Sequence, residues 1–136
     1  MSTATAAGAD VAAVRAGFEA FGRGDVAAFR DSFRPDATWN HRNDDRFGGV
    51  HHGSDGIVAF VAESAKLTEG TLRVVPESLM ADGEGRVAAL VRVSGTRPDG
   101  RSFDDSQVLL FTLDGDRVGS VDQFVGDPGA VTAFWA

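Results

Sequence analysis

At 136 residues the chain suits one domain around a single core. Its formal net charge of −7 repels phosphate backbones, and no basic helix offers a membrane-surface contact, so neither nucleic acid nor membrane is an expected partner. The absence of cysteine excludes a thiol nucleophile, a thiolate metal site and a disulfide. The absence of tyrosine removes one oxyanion donor, and a single lysine, Lys66, makes Schiff-base chemistry a poor reading.

Residues 1–9 are small and polar, without the basic start and apolar centre of a signal peptide, and are expected to form a flexible tail before one domain over 10–136. Asp10 can cap a helix whose apolar stripe is Val11, Val14, Phe18 and Phe21. Gly22-Arg23-Gly24 stops it, because glycine accepts the left-handed conformation at a helix end. Asp25 caps a second helix with Val26, Phe29 and Phe33 on one face, closed by Pro35. Thr38 to Arg42 reads as a short strand. Residues 43–53 follow as a polar, glycine-rich loop, and Ser54 or Asp55 caps a third helix with Ile57, Phe60 and Val61.

From there the period changes to two. Leu72–Met80 is a strand interrupted by Pro76, which suits an edge or a bulge. Val87, Ala89, Val91 and Val93 alternate with Ala88, Leu90, Arg92 and Ser94. Arg97-Pro98-Asp99-Gly100 is a turn leading into the strand Ser102–Leu113. Asp114-Gly115 turns that into Val118–Val125, which Asp127-Pro128-Gly129 ends. Helices grouped before a strand meander indicate an α+β fold. The expected form is a cone-shaped α+β barrel: three N-terminal helices on a strongly curved, mainly antiparallel sheet enclosing a pocket. No apolar run is long enough to span a bilayer, and a cytoplasmic location is expected.

Four segments carry a family resemblance: Phe21-Gly22-Arg23-Gly24-Asp25, Phe33-Arg34-Pro35-Asp36-Ala37-Thr38-Trp39, His52-Gly53-Ser54-Asp55-Gly56-Ile57 and Leu113-Asp114-Gly115-Asp116-Arg117-Val118. In this order and spacing the chain resembles the nuclear transport factor 2-like superfamily from about residue 10 to 127. It is most similar to the SnoaL-like branch with polyketide cyclases, ketosteroid isomerase and limonene epoxide hydrolase. The resemblance puts His41 where the isomerase keeps its carboxylate base and the epoxide hydrolase a water-positioning amide. It puts Trp39, Asp105 and Gln107 on pocket positions. Leu109 replaces the isomerase's protonated acid, and Gly17 stands where its tyrosine would be, so the isomerase's oxyanion hole is not expected. Arg92 and Gln123 stand at the two catalytic carboxylates of the epoxide hydrolase. A one-residue bulge would turn Asp122 inward in place of Gln123, and SnoaL-like cyclases use an aspartate in that strand.

The residues admit this chemistry. An imidazole titrates near neutral pH, so His41 can act as a general base on an acidic carbon. Asp105 can orient it, or stand as a solvated strand end. Arg92 faces the pocket and an anionic partner such as Asp105 when the row Val87–Val93 packs outward; with the faces reversed it stands in solvent. Gln107 and Gln123 can donate to an oxyanion. Trp39, Leu109, Val121 and Phe18 would form the wall, with His52 at the mouth beside His51. Those histidines with Asp44 and Asp45 match no specific metal spacing; Gly48, Gly49 and Gly53 would let the loop move as a solvated lid, and no metal is expected. No phosphate loop, dinucleotide fingerprint or Gly-x-Ser-x-Gly is present.

The expectation is a cofactor-independent cyclase or isomerase of secondary metabolism, acting by proton transfer on a small apolar carbonyl compound of polyketide or terpenoid type. The alternatives are opening of an epoxide, by hydrolysis or ether cyclisation with an inward Asp122, and a non-catalytic binding or assembly module. An outward valine face on residues 87–93 would suit a homodimer.

Overall fold

The computed structural model describes residues 3–136. The elements are α1 (Thr3–Gly22), α2 (Val26–Asp31), β1 (Phe33–Arg42), β2 (Gly49–His52), α3 (Gly53–Leu67), β3 (Arg73–Ala81), β4 (Arg86–Thr96), β5 (Ser102–Asp114), β6 (Arg117–Phe124) and α4 (Pro128–Trp135). The strands form one curved, unclosed sheet in the order β2-β1-β6-β5-β4-β3. Every pairing is antiparallel except β1 with β6. Among the described residues no helix is long and apolar enough to cross a membrane.

The expected α+β architecture stands, with local differences. α1 starts at Thr3, so residues 3–9 belong to a helix and not to a tail; residues 1–2 lie outside the described residues. Three alanines and no proline between Thr3 and Ala7 favour that extension. α2 is one short turn-and-a-half whose N-terminus is capped as expected, the Asp25 carboxylate accepting from the Ala28 N–H at 3.0 Å. Phe33 belongs to β1, and Pro35 falls where the β1–β6 register shifts, between Phe33 and Thr38. Pro76 lies on the edge strand β3, at a bulge before Ser78.

β4 settles its own facing. Val87, Ala89 and Val91 are fully buried and Val93 nearly so, while Arg92 is exposed. The valine row is therefore the concave face, against which the helices pack. Alternation announces two faces but does not say which is wet, because Ala88 and Leu90 are apolar too. The main core joins this row to Val14, Phe33, Trp39, Ile57 and Phe111.

α4 was not expected. Pro128 sits in its first turn, where the missing N–H costs nothing, and Asp127 caps it by accepting from Ala130 N–H at 3.1 Å. The helix buries Val131, Phe134 and Trp135 against Phe47, closing one end of the cone. Arg97 and Arg101 reach over from the β4–β5 turn and donate to the carbonyls of Phe134 and Ala133 at its C-terminus.

Candidate functional site

Between the helices and the concave sheet lies a cavity of about 100 Å³. Its wall is aromatic and aliphatic, with Phe18, Phe60, Leu109 and Phe111 among its members. The polar side chains on it are few. Ser32 and Ser64 donate their hydroxyls to carbonyls of their own segments, those of Phe29 and Phe60. Trp39, His41, Gln107 and Gln123 remain.

Strand geometry gathers these four. Trp39 and His41 are two residues apart on β1 and so share a face. The parallel pairing puts His41 opposite Gln123 on β6, and Gln123 in turn pairs with Leu109 on β5. Gln107 is one step along the same inward face of β5. The four are linked in one buried chain. The Trp39 indole N–H donates to Gln123 Oε1 at 2.8 Å, and His41 Nδ1 lies 2.8 Å from the same oxygen. Gln123 Nε2 donates to Gln107 Oε1 at 2.8 Å, and Gln107 Nε2 donates to Asp105 Oδ2 at 3.1 Å. Asp105 also accepts the N–H groups of Gly126 and Asp127 at 2.9 and 3.0 Å, which pins the exit of β6.

The other nitrogen of His41, Nε2, is 2.8 Å from Asp45 Oδ2. This carboxylate accepts from the Asn43 amide at 2.6 Å and the Phe47 N–H at 2.8 Å as well. Burial pushes the Asp45 carboxyl up, but the hydrogen bonds from His41, Asn43 and Phe47 and the charge on His41 outweigh it, and the group lies below its ordinary value of 3.8.

The chain has a fixed direction. An indole N–H only donates, so Gln123 must turn its oxygen towards Trp39 and therefore towards His41. At the far end a carboxylate that accepts two backbone N–H groups only accepts, which fixes Gln107 in the same sense. His41 thus faces an amide oxygen on one side and a carboxylate on the other, so an acceptor stands at each of its nitrogens. The pair is buried, with side-chain exposure of 3 % for His41 and 1 % for Asp45.

Several expectations need correction. Arg92 is on the outer face, its side chain 49 % exposed, paired with Asp104 at 2.9 Å and not with Asp105. Asp122 also points outward, to Arg42 at 2.9 Å. The β1–β6 register runs unbroken from Ser120 to Phe124, so no bulge brings it in, and Gln123 takes the inward place. The arrangement expected for epoxide opening is therefore missing from this face. Asp105 is buried but separated from His41 by both glutamines, and Asp45 is the carboxylate that holds the imidazole. Phe18 and Leu109 line the cavity; Val121 is buried in the core outside it. His52 is exposed where α3 begins, away from the wall. His51 stacks on Phe60 with centroids 4.3 Å apart.

Nor is the 43–53 loop a solvated lid. Gly49–His52 form β2 beside β1, and Phe47 is buried against Phe60 and Trp135. A Cβ on Gly48 would run into the Asn43 carbonyl. Asp45 was overlooked because its partner stands four residues earlier across a strand end, where no helical or strand period brings them together. The histidine and acid count of the segment was the only signal.

The comparisons agree with this architecture. The model of the SnoaL-like domain matches residues 14–121. The uncharacterised protein Rv0034 of Mycobacterium tuberculosis is 34 % identical over 128 residues, covering 94 % of this chain and 97 % of that protein. Bal32a, from a soil-derived mobile gene cassette, is 27 % identical with a TM-score of 0.92, over 96 % of this chain and 99 % of its own. A putative SnoaL-like polyketide cyclase from Jannaschia sp. CCS1 shares the fold at TM-score 0.77 and 24 % identity, over 94 % and 92 % of the two chains. By the domain match and the coverage of these relatives, the chain belongs to the SnoaL-like family of the nuclear transport factor 2-like superfamily.

Proposed function

We propose that this protein is a cofactor-independent enzyme of the cyclase or isomerase type, acting on a small apolar compound that carries a carbonyl. The observation behind this reading is one directed polar chain set into an otherwise apolar cavity wall. Counting its hydrogens leaves a ligand two donors. Each side-chain amide has two N–H groups; Gln123 commits one to Gln107, and Gln107 one to Asp105. The second N–H of each is free for a carbonyl oxygen. Two fixed amide donors in a dry pocket stabilise charge developing on that oxygen, and one such donor is worth roughly 10²–10³ in rate.

His41 is the only titratable group on the cavity wall among the described residues. To take a proton from the ligand it must first release its Nδ1 hydrogen, and Gln123 must turn its oxygen away. Polarisation of the carbonyl is thus built in, while proton abstraction needs the His41–Gln123 contact to open. A cavity of about 100 Å³ is somewhat below the roughly 150 Å³ of an engineered apolar cavity that takes up benzene. The enclosed part of the substrate is a single small ring or a short chain. Polyketide or terpenoid metabolism in the cytoplasm is the setting that suits such a compound.

A second reading, a module that binds without catalysis, draws support from His41 itself, since neither nitrogen has a free lone pair. Hydrogen–deuterium exchange at the α-carbon of cyclopentanone, followed by NMR in D₂O, separates the two. Exchange above the buffer rate, reduced about 10²-fold in Gln107→Leu and His41→Gln, is expected of the enzyme. Saturable binding with no exchange selects the binding module.

A homodimer is also proposed, on a different face from the one expected. The valine row is internal, but Leu90, Val108 and Phe124 pair across β4, β5 and β6 on the outer side, where Val108 and Phe124 are exposed.

A further inference from the structure

The cavity wall carries a second polar feature, away from the glutamines. Ser32 closes α2, and its carbonyl accepts the Val118 N–H at 2.8 Å, which ties it to the start of β6. Gln123 stands five residues beyond Val118 on that strand. At about 3.3 Å per residue the two positions are roughly 15 Å apart. Ser32, Val118 and Gln123 all line the cavity.

Ser32 spends its one hydrogen on the Phe29 carbonyl. Among the described residues no group donates to its oxygen, so lone pairs there stay open. The residue facing that oxygen is a glycine. Gly17 lies in the interior of α1 and is itself on the cavity wall. Glycine is a poor helix former, because it loses more backbone freedom on folding than any other residue. Packing does not call for it here: a Cβ would come to rest 3.4 Å from Ser32 Oγ, its nearest neighbour, at ordinary contact. What the glycine does is leave the Ser32 oxygen uncovered.

The cavity thus has two poles of opposite chemistry. The Gln107 and Gln123 amides offer hydrogens, and Ser32 offers an acceptor. We infer that Gly17 and Ser32 form a recognition site for a ligand hydroxyl, and that the substrate class is a hydroxy-carbonyl compound with its two polar groups at opposite ends of a short apolar spacer. The carbonyl accepts from the glutamines, and the hydroxyl donates to Ser32 Oγ. This rests on the carbonyl-binding reading above and narrows its substrate class. Ser64 makes the same kind of hydroxyl-to-carbonyl bond within α3, also on the wall, and serves as the control.

The test titrates two ligand series against the full chain by calorimetry: 2-alkanones from 2-pentanone to 2-decanone, and the same ketones with a terminal hydroxyl. In the wild type one length of the hydroxy series should stand out, binding at least as tightly as its plain counterpart. The readout is the affinity ratio of hydroxy to plain ketone at that length. Ser32→Ala and Gly17→Ala should each lower the ratio about tenfold, because the buried ligand hydroxyl loses its partner, and Ser64→Ala should leave it unchanged. A ratio that survives in both Ser32→Ala and Gly17→Ala, or that falls only in Ser64→Ala, overturns the hydroxyl site and leaves carbonyl binding standing. Absence of binding in both series overturns both. Gly17→Ala adds one methyl group where there is room for it, so it decides even where Ser32→Ala fails to fold.

Discussion

His41 looks, by sequence, like a base waiting for a substrate, and in the structure an acceptor stands at each of its nitrogens. The reason lies two hydrogen bonds away in an indole that can only donate, and three away in a carboxylate that accepts. Trp39 and Asp105 set the direction of the whole polar chain, which turns the Gln123 oxygen towards His41. Nitrogen NMR should accordingly report hydrogen on both ring nitrogens of His41 at neutral pH; a single-tautomer pattern would refute the directed chain. Asp45→Asn removes the counter-charge of a buried pair, and a loss of about 3–5 kcal/mol is expected in urea unfolding. The acid side carries a second signature. The folded-state value of Asp45 is depressed, so its stabilisation is present above the ordinary 3.8 and is lost as pH falls through the lower folded value. Unfolding midpoints of the wild type should therefore fall more steeply below about pH 4 than those of Asp45→Asn. Trp39, His41 and Gln107 were legible through the family resemblance, which left Gln123 and Asp122 as alternatives until the unbroken β1–β6 register turned Gln123 inward. Asp45 was not, because a loop that folds back on a strand end has no period to read.

At the scale of elements, the strands were readable and the facing of one of them was not. Val87, Ala89, Val91 and Val93 compete with Ala88 and Leu90 for the inner face, and only the helices decide between them. The wrong choice carries Arg92 into the pocket and misplaces the dimer surface, because a strand flips all its side chains at once. α4 escaped notice for a different reason. Its Asp127-Pro128 start serves equally as a strand stop, and its 8 residues are too few to display a period. Yet it seals the cone. Trp135→Ala should cost about 3–5 kcal/mol, measured by urea unfolding, through the cavity it leaves beside Phe47 and Phe134. Gly126 is a sharper point on the same junction. A Cβ there would strike the Ser106 carbonyl and crowd the Asp105 carboxylate, so Gly126→Ala should weaken the hold of Asp105 on the β6–α4 turn and lower the thermal midpoint.

For the whole molecule, the order of helices and strands was enough to give an α+β cone, since a curved sheet with one apolar face must be covered from that side. For the outer face, association is the role proposed above. A dimer through Leu90, Val108 and Phe124 should be visible in analytical ultracentrifugation and should dissociate in Val108→Glu, with the circular dichroism spectrum unchanged; a monomer at all accessible concentrations refutes it. The sealed end has a consequence for traffic. With Phe47, Phe134 and Trp135 packed as a stopper, the cone is a blind alley. A ligand in the cavity therefore meets packed aromatic rings at this end. For the reaction proposed above, a closed end of this kind favours a product no broader than its substrate.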